Sequence, residues 1–377
     1  MKIALVHDWL NQIGGAEDVL AALLDIWPES PVFTSIYDPD SMPAAINAAD
    51  IRTLWLDRLP GIHRHHQPFL PLYPLAWSGL RLRGHDVILS NKSGFCTALR
   101  HDEKTLHICY CLTPTRYLWQ LEEYIERERL GAAWRHTLRP LIALLRRQDY
   151  AAAQRVHHFI AISSAVRQRI RDCYGRDSIV IYPPVDTQRF RPVPRHDDYL
   201  LTVARLVPYK RIDIAVQAAT RLNLPLKVGG SGRDLDRLRA MAGPTVEFLG
   251  YVSDEQLPEL MARCRAFLFP GHEDFGIAPV QAQAAGRPVI AYGAGGALDT
   301  VVPGLSGELV QEQSVVALTS ALANLDGSRY DSQAIRMHAL RFDTRVFRRK
   351  MRAFVDQALA AFCRQEPMEW RDPCETG

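Results

Sequence analysis

The chain has 377 residues, of which 47% are hydrophobic and 23% are charged, and its net charge is +3. This composition is ordinary for a globular protein, and the length allows two domains with substantial cores. The small net charge and the lack of a basic run interleaved with aromatic residues argue against a nucleic acid partner.

The sequence also predicts where the protein works. Seven cysteines without regular spacing are typical of a reducing compartment. The apolar part of residues 1–8 is too short for a signal peptide, and no later apolar stretch would span a bilayer. We therefore expect a cytoplasmic protein.

The first half has the pattern of a doubly wound α/β domain. A buried strand is predicted at residues 3–6, a turn at Gly14 and Gly15, and then a helix that Pro28 ends. In such domains ligands lie at the carboxyl ends of the strands, where glycine lets the backbone approach a phosphate. From this loop alone, a phosphate contact and a plain tight turn are equally well supported.

Polar residues follow two later strands of the same half, predicted at residues 86–90 and 106–111. They are Asn91 and Lys92 after the first strand, and Thr113 and Arg116 after the second. Because the carboxyl ends of parallel strands share one edge of the sheet, we predict that these four residues lie on the acceptor side of a substrate site.

Two sets of side chains could bind a metal ion, but neither spacing favours it. In the proline-punctuated segment 59–77, His65 and His66 are adjacent and cannot share one face of a regular element. A loop facing a polar or lipidic acceptor, or an ordinary surface loop, is favoured there. On the strand 106–111, residues two apart seldom converge on one ion, so core packing is favoured. The residues concerned are His107, Cys109 and Cys111.

A basic segment precedes the middle of the chain. Residues 139–147 combine an apolar stripe with Arg139, Arg146 and Arg147. Such a helix can lie on an anionic membrane surface. The alternative, a solvated face of a packed helix, is at least as well supported.

The second half begins the α/β pattern again. A strand at residues 199–204 leads through Arg205 and Lys210 into a helix. The glycine loop 229–232 lacks the third glycine of the dinucleotide fingerprint, and the loop 293–295 fails in the same way. A nicotinamide enzyme is therefore disfavoured.

The segment 267–286 has the pattern of a strand, an acidic loop and a helix. Glu273 lies in the loop, the helix is predicted to begin near Ile277, and Gly286 with Pro288 is predicted to end it. The first amides of a helix point outward without partners and favour an anion. An acid beside an anion-binding helix end suggests a ligand with both phosphate and hydroxyl groups.

These elements together suit a sugar diphosphate. Arg205, Lys210 and the helix end are three anion-seeking elements, although either cation alone fits a surface pair near a helix start. The Asp-x-Asp pairs at 38–40 and 234–236 could hold Mg²⁺ on a diphosphate, but turn and cap roles are favoured. Fixed cations and amides can stabilise such a leaving group instead.

The combined motifs resemble the retaining glycosyltransferases of family 4, which have the GT-B fold. The resemblance covers nearly the whole chain and is closest to mannosyltransferases that build O-antigen and exopolysaccharide repeat units. It is carried by Arg205 with Lys210, Gly-Gly-Ser-Gly at 229–232, His-Glu-Asp-Phe-Gly-Ile-Ala-Pro-Val at 272–280, Ala-Gly-Arg-Pro-Val-Ile at 285–290, Pro-Pro-Val-Asp at 183–186 and Pro-Thr-Arg-Tyr-Leu-Trp at 114–119.

The resemblance implies two Rossmann-like domains of α/β class that face each other across a cleft. Residues 1–186 would form the acceptor-binding domain, and residues 195–345 the nucleotide-sugar-binding domain. Residues 346–364 would form a terminal helix that crosses back to the N-terminal domain. Residues 365–377 would be a loose tail.

The resemblance also implies roles for the site. Arg205 and Lys210 would hold the donor diphosphate, and Glu273 would bind the sugar hydroxyls. The acceptor would attack on the face that the leaving phosphate departs from, with retention of configuration, without a cofactor or a metal ion. The residues expected to contact the donor are Gly14, Gly15, Gly250, Tyr251, Phe275, Gly276, Ile277, Ala278 and Gln281.

Two positions depart from the family pattern. Gln281 stands where a second glutamate is expected to bind the ribose, and an amide loses about half the strength of a charge-assisted bond. Leu112 stands where relatives often carry histidine near the transferred sugar, and leucine neither donates nor accepts a hydrogen bond.

Three hypotheses follow. The first is a transferase that moves mannose from GDP-mannose to a polyprenyl-diphosphate-linked oligosaccharide in surface polysaccharide synthesis, in peripheral contact with the inner face of the membrane. The second is a GT-B sugar-nucleotide epimerase. The third, prompted by Gln281 and Leu112, is a partner protein that binds a nucleotide sugar with little or no turnover.

Overall fold

The computed structural model describes residues 1–64, 67–120 and 132–374. Two compact units are present, one made of residues 1–184 with 345–377 and the other of residues 185–344. Each unit is built around its own parallel sheet, which confirms the predicted α/β class. His65 and His66, from the predicted histidine loop, lie outside the described residues.

The first unit contains a seven-stranded sheet and a separate two-stranded pair. In chain order its strands are β1 (Ile3–His7), β2 (Val32–Thr34), β3 (Ile51–Thr53), β4 (Arg81–Leu82), β5 (Val87–Lys92), β6 (Arg100–His101), β7 (Leu106–Cys111), β8 (His158–Ala161) and β9 (Ser178–Val180). The large sheet has the order β3-β2-β1-β5-β7-β8-β9, and β4 pairs with β6.

Helices cover this sheet. They are α1 (Gly15–Ile26), α2 (Ala44–Asn47), α3 (Tyr73–Gly79), α4 (Arg116–Trp119), α5 (Ala132–Gln154) and α6 (Ser164–Tyr174), with 3₁₀ turns at Pro39–Ser41, Trp55–Arg58, Gln67–Leu72 and Cys96–Ala98. Every residue of β1, β5 and β7 is buried, as expected for central parallel strands packed on both faces.

The terminal helix, Thr344–Arg364, packs within the first unit. The Phe347 ring lies 5.6 Å from Tyr110, and the Phe362 ring lies 4.9 Å from His157. These contacts come from the apolar face that the amphipathic pattern of the helix predicts.

The residues after this helix are not a loose tail, at least as far as residue 374. The Gln357 side chain donates to the carbonyl of Arg371 and accepts from its amide, both at 3.0 Å. The Trp370 ring lies 5.3 Å from Phe354. The prediction failed because this segment has no regular period, whereas single polar and aromatic side chains fix it to the helix.

The second unit has a six-stranded parallel sheet. Its strands are β10 (Leu200–Val203), β11 (Leu226–Gly229), β12 (Val246–Gly250), β13 (Ala266–Phe269), β14 (Val289–Tyr292) and β15 (Gly307–Val310), in the order β12-β11-β10-β13-β14-β15. Its helices are α7 (Ile212–Leu222), α8 (Leu235–Met241), α9 (Leu257–Arg263), α10 (Ile277–Ala284), α11 (Ala297–Thr300), α12 (Val315–Ala323) and α13 (Ser332–Ala339), with 3₁₀ turns at Thr187–Arg189, Pro208–Lys210, Gly327–Arg329 and Leu340–Phe342. Among the described residues, no helix is both long enough and apolar enough to cross a membrane.

Candidate active site

The predicted donor residues of the second half gather at one edge of the second sheet. Arg205 and Lys210 follow β10, Tyr251 follows β12, and Glu273 follows β13. Because β12, β11, β10 and β13 are neighbours and run parallel, their carboxyl ends form a continuous edge. This edge is the candidate active site.

Lys210 and Glu273 are in direct contact at this edge. The Lys210 Nζ lies 2.5 Å from Glu273 Oε2, with 16% and 21% of the two side chains exposed. The backbone of Gly271 approaches that of Lys210 so closely that a Cβ atom at Gly271 would lie 3.0 Å from the Lys210 carbonyl oxygen. The cation and the acid are therefore held together by both side-chain and backbone contacts.

The loop that carries Arg205 packs closely against the glycine loop 229–232. The amide of Leu206 donates to the Ser231 carbonyl at 2.8 Å. Cβ atoms at Gly230 and Gly232 would overlap the carbonyl oxygens of Ala204 and Leu206, at 1.9 and 2.2 Å. The glycines of this loop therefore serve close packing against the Arg205 loop, while the Arg205 side chain is exposed and donates to the Tyr209 hydroxyl at 3.3 Å.

The helix α10 begins and ends where the sequence predicts. Its N-cap, Gly276, has a left-handed φ of 94° and no side-chain cap. Since Pro279 has no N–H, Ile277 and Ala278 carry the amides of the first turn. At the other end Gly286 has a φ of 74° and donates to Gln283, while Arg287 donates to Ala282. This pair of bonds is a Schellman motif.

A second glycine loop supports the acidic loop. The amide of Gly296 donates to the Glu273 carbonyl at 2.8 Å. A Cβ atom at Gly295 would lie 2.2 Å from that carbonyl oxygen, and one at Gly296 would lie 2.2 Å from the Phe275 Cα. The sequence reading of this loop as a failed dinucleotide fingerprint missed its role, which is contact between two backbones.

Gly250, Tyr251 and Gln281 are the remaining predicted donor contacts of this unit. Gly250 has a φ of 69°, and its carbonyl accepts from the Gly230 amide at 2.6 Å. The Tyr251 side chain is exposed. Gln281 is half-buried on α10, one turn after Ile277.

The Asp234 carboxylate is already engaged. It forms a fork with Arg237, with two distances of 2.7 Å, and it is 4% exposed. In the described part of the chain, no three or more His, Cys, Asp or Glu side chains are arranged to hold a metal ion.

The structure places Lys92 in the interior of the first unit. Its ammonium lies 3.1 Å from Asp149 Oδ1 and also bonds to Thr115 and to the Gly94 carbonyl. Burial opposes this charge, but the attraction of Asp149, followed by that of Asp8, outweighs it and raises the pKa of Lys92. With no exposed surface, Lys92 has an internal structural role, which argues against the predicted acceptor contact.

The other predicted acceptor residues differ in exposure. Asn91 is 1% exposed, and its amide nitrogen donates to His7 and to the Ala16 carbonyl. Thr113 is buried and accepts from Arg169 at 2.7 Å, whereas Arg116 is half-buried at the start of α4. Hydrogen bonds within the protein thus engage the Asn91 amide nitrogen and the Thr113 hydroxyl.

A polar chain beneath the Gly14–Gly15 turn was not predicted. His7 Nδ1 accepts from Asn91 at 3.1 Å, so the other ring nitrogen donates to Glu17 at 3.2 Å. Both turn glycines are exposed, and Glu17 lies directly below Gly14. The sequence feature that could have indicated this polar chain is His7, a histidine at the end of a fully buried strand.

The candidate metal ligands that the structure describes make other contacts. His107, Cys109 and Cys111 are fully buried, which confirms their prediction as core residues. In the loop after β3, the His63 ring lies 2.8 Å from Asp57 Oδ1.

Three arginines of the basic helix α5 differ in exposure. Arg146 donates to the Leu118 carbonyl and lies over the Trp119 ring at 5.8 Å. Arg139 and Arg147 are exposed, and so is 53% of Leu144. The exposed residues of this helix therefore include two cations and one large apolar side chain.

Comparison with known proteins identifies curated relatives. A GDP-mannose-dependent alpha-(1-6)-phosphatidylinositol monomannoside mannosyltransferase of Mycobacterium tuberculosis is 32% identical over 196 residues, 44% of this chain and 51% of that protein. A D-inositol 3-phosphate glycosyltransferase of Nocardioides sp. is 30% identical over 168 residues, 35% of this chain and 37% of that protein. The chain thus spans about half the length of the curated relatives it matches, or less.

Solved structures share the fold. The Anabaena protein HepE in complex with UDP superposes with a TM-score of 0.69 at 18% identity, covering 94% of this chain and all of that one (100%). Sucrose-phosphate synthase from Thermosynechococcus elongatus gives 0.66 at 19% identity, covering 96% and 100% of the two chains.

Two family models cover most of the sequence. The model for glycosyltransferase family 4 matches residues 13–189, and the model for glycosyl transferases group 1 matches residues 185–332. The family predicted from the motifs is therefore confirmed: the chain belongs to the family 4 glycosyltransferases and has the GT-B fold.

Proposed function

We propose that the protein is a retaining hexosyltransferase that uses a nucleotide diphosphate sugar, with GDP-mannose as the best candidate donor. The observation that carries this proposal is the contact between Lys210 and Glu273 beside the start of α10. A cation for a diphosphate and an acid for sugar hydroxyls lie side by side at the carboxyl edge of one sheet, where α/β folds bind ligands. The Mycobacterium tuberculosis relative is named for GDP-mannose, which supports this donor.

The chemistry follows from charge. When the bond between the sugar and the phosphate breaks, negative charge grows on the leaving diphosphate. Lys210, Arg205 and the amides of Ile277 and Ala278 would face the leaving diphosphate, and cations and helix amides at such a site stabilise the developing charge. Positive charge develops on the sugar, near the Glu273 carboxylate. The proposal assigns these roles to the protein's own residues, with no cofactor or metal ion.

A panel of nucleotides tests this donor site. GDP, UDP, ADP and their hexose conjugates are added separately, and thermal unfolding is followed. A ligand at about a hundredfold over its Kd stabilises by about 2.7 kcal/mol. A shift with a nucleotide and with its sugar conjugate supports the proposal, and no shift with any of them rejects it. Product analysis without an acceptor separates transfer from epimerisation, and binding without turnover would favour the non-catalytic alternative suggested by Gln281 and Leu112.

We also propose a lipid-linked oligosaccharide acceptor at the cytoplasmic face of a membrane. The relative named above acts on a mannoside carried by phosphatidylinositol. On α5, Arg139 and Arg147 could meet anionic headgroups, and the exposed Leu144 could enter the interface. Arg146 is held by the protein and is not part of this surface.

Vesicle sedimentation tests the membrane contact. The double variant Leu144→Asp, Arg147→Glu should bind less than the wild type to vesicles that contain phosphatidylserine. Both the wild type and the double variant should bind weakly to neutral vesicles. Arg171→Glu, which changes an exposed arginine of α6, is the charge control. Equal binding of the wild type to neutral and anionic vesicles, or none to either, would reject this part of the proposal.

A further inference from the structure

An amide side chain joins the two loops of the candidate active site. Gln313 follows β15, and its Nε2 donates to the Pro270 carbonyl at 2.8 Å, while its Oε1 accepts from Arg211 Nη1 at 3.3 Å. Arg211 directly follows Lys210, and Pro270 precedes Glu273 by three residues. Gln313 therefore bridges the loop that carries the cation and the loop that carries the acid.

Both ends of this bridge are firmly held. The orientation of the amide is defined because one partner is a donor and the other an acceptor. Arg211 has a left-handed φ of 52°, and its guanidinium also contacts the Asp213 carboxylate at 3.2 and 3.5 Å. Pro270 is buried at the end of β13. Neither partner can move without losing other contacts.

A bound ligand should break the ion pair between Lys210 and Glu273 but leave the hydrogen bonds of Gln313 intact. Lys210 and Glu273 bond to each other at 2.5 Å, so a diphosphate that takes Lys210 must compete with Glu273. The bonds of Gln313 involve neither of these side chains and need not change when the pair separates. We infer that Gln313 is a positioning residue that keeps the spacing between Lys210 and Glu273 fixed while each binds a different part of the donor. This inference rests on the proposed function.

Spacing matters only for a ligand that uses both loops. A nucleoside diphosphate reaches Lys210 alone, whereas the sugar conjugate also requires Glu273. Gln313→Leu removes both bonds of the bridge, and we expect it to weaken the nucleotide sugar by about three- to tenfold or more and to leave the nucleoside diphosphate unchanged. Gln313→Glu keeps the acceptor for Arg211 but cannot donate to Pro270, and its negative charge also repels a diphosphate, so it should weaken both ligands and the nucleotide sugar more than the nucleoside diphosphate.

Calorimetric titration with GDP and GDP-mannose, or with whichever pair the wild type binds, measures both affinities. Gln311→Leu is the matched control, since Gln311 lies two residues earlier and is exposed. Melting temperatures show whether each variant folds, and Gln313→Asn, too short to span both partners, replaces any variant that does not. Equal loss for both ligands, or no loss for either, overturns the role of Gln313. Failure of the wild type to bind any nucleotide overturns the proposed function first.

Discussion

The Lys210 ammonium lies 2.5 Å from the Glu273 carboxylate, although the two residues follow different strands of the second sheet. Each group satisfies the charge of the other at a half-buried edge. A ligand with a diphosphate and a sugar offers a separate partner to each of them, so it can replace the pair without leaving either group without a hydrogen bond. This relationship makes the two residues distinguishable by experiment.

Different effects on the two ligands are expected when the two members of the pair are changed. Glu273→Gln should leave GDP binding unchanged or tighten it, because Glu273 no longer competes for Lys210. The same change should weaken GDP-mannose, because a charge-assisted bond to a hydroxyl is lost. Lys210→Ala should weaken both ligands by about tenfold or more, as expected for bonds to charged groups. Calorimetric titration of the two ligands measures this pattern.

Glu247→Gln is the matched control, because Glu247 is an exposed glutamate on β12 of the same unit. It should leave both affinities at the wild-type level. If Glu273→Gln and Lys210→Ala had the same effect on both ligands, the assignment of separate roles would be incorrect.

The buried ion pair of Lys92 and Asp149 should matter for stability. Lys92→Met leaves Asp149 as a buried carboxylate with hydroxyl and indole partners but no cation. Loss of one partner of a buried pair typically costs about 3–5 kcal/mol. We expect the urea concentration at the midpoint of unfolding of the first unit to fall clearly. Tryptophan fluorescence measures this midpoint.

Lys104→Met provides the comparison, since Lys104 is an exposed lysine in the same unit. It should shift the midpoint little. A wild-type midpoint for Lys92→Met would show that the ion pair contributes no net stability, and would reopen a role for Lys92 at the acceptor.

Acid should destabilise the first unit through the buried His107 and the half-buried His157. Burial, and then the nearby His101 and His158, lowers the pKa of His157 to about 4, and burial lowers the pKa of His107 well below its usual range. In the unfolded chain these rings take up protons at about pH 6.5, whereas in the folded protein they do not. The unfolded state therefore binds more protons, and stability falls as the pH drops from about 6.5 toward 4.

His157→Asn should reduce this dependence, because an amide oxygen can still accept from the His107 amide but cannot be protonated in this range. Melting temperatures at pH 7.5 and 5.5 give the comparison, with the exposed His196→Asn as control. If the melting temperature of His157→Asn fell between pH 7.5 and pH 5.5 as much as that of the wild type, the acid sensitivity would belong to other groups.

The sequence predicts local structure well where the signal is periodic or lies within one loop. The bounds of α10 follow from an apolar pattern with Gly286 and Pro288 after it, and both were correct. Lys92 could not be placed correctly, because its partner Asp149 is 57 residues away and a lysine at a strand end also fits a ligand site. The same holds for Gln313, which meets Arg211 across 102 residues. Motifs predict candidate ligand contacts, whereas contacts between loops that are distant in sequence have no local signal.

The glycine loop 293–296 should be required for the position of the acidic loop. A Cβ atom at Gly296 would lie 2.2 Å from the Phe275 Cα and 2.3 Å from its carbonyl oxygen, and backbone atoms cannot move away as a flexible side chain can. Gly296→Ala should therefore displace the loop that carries Glu273 and abolish GDP-mannose binding. Gly327→Ala, where no atom lies within 4 Å of the added carbon, should bind normally. Normal GDP-mannose affinity in Gly296→Ala, measured by the same titration, would mean that the position of the acidic loop does not depend on this contact.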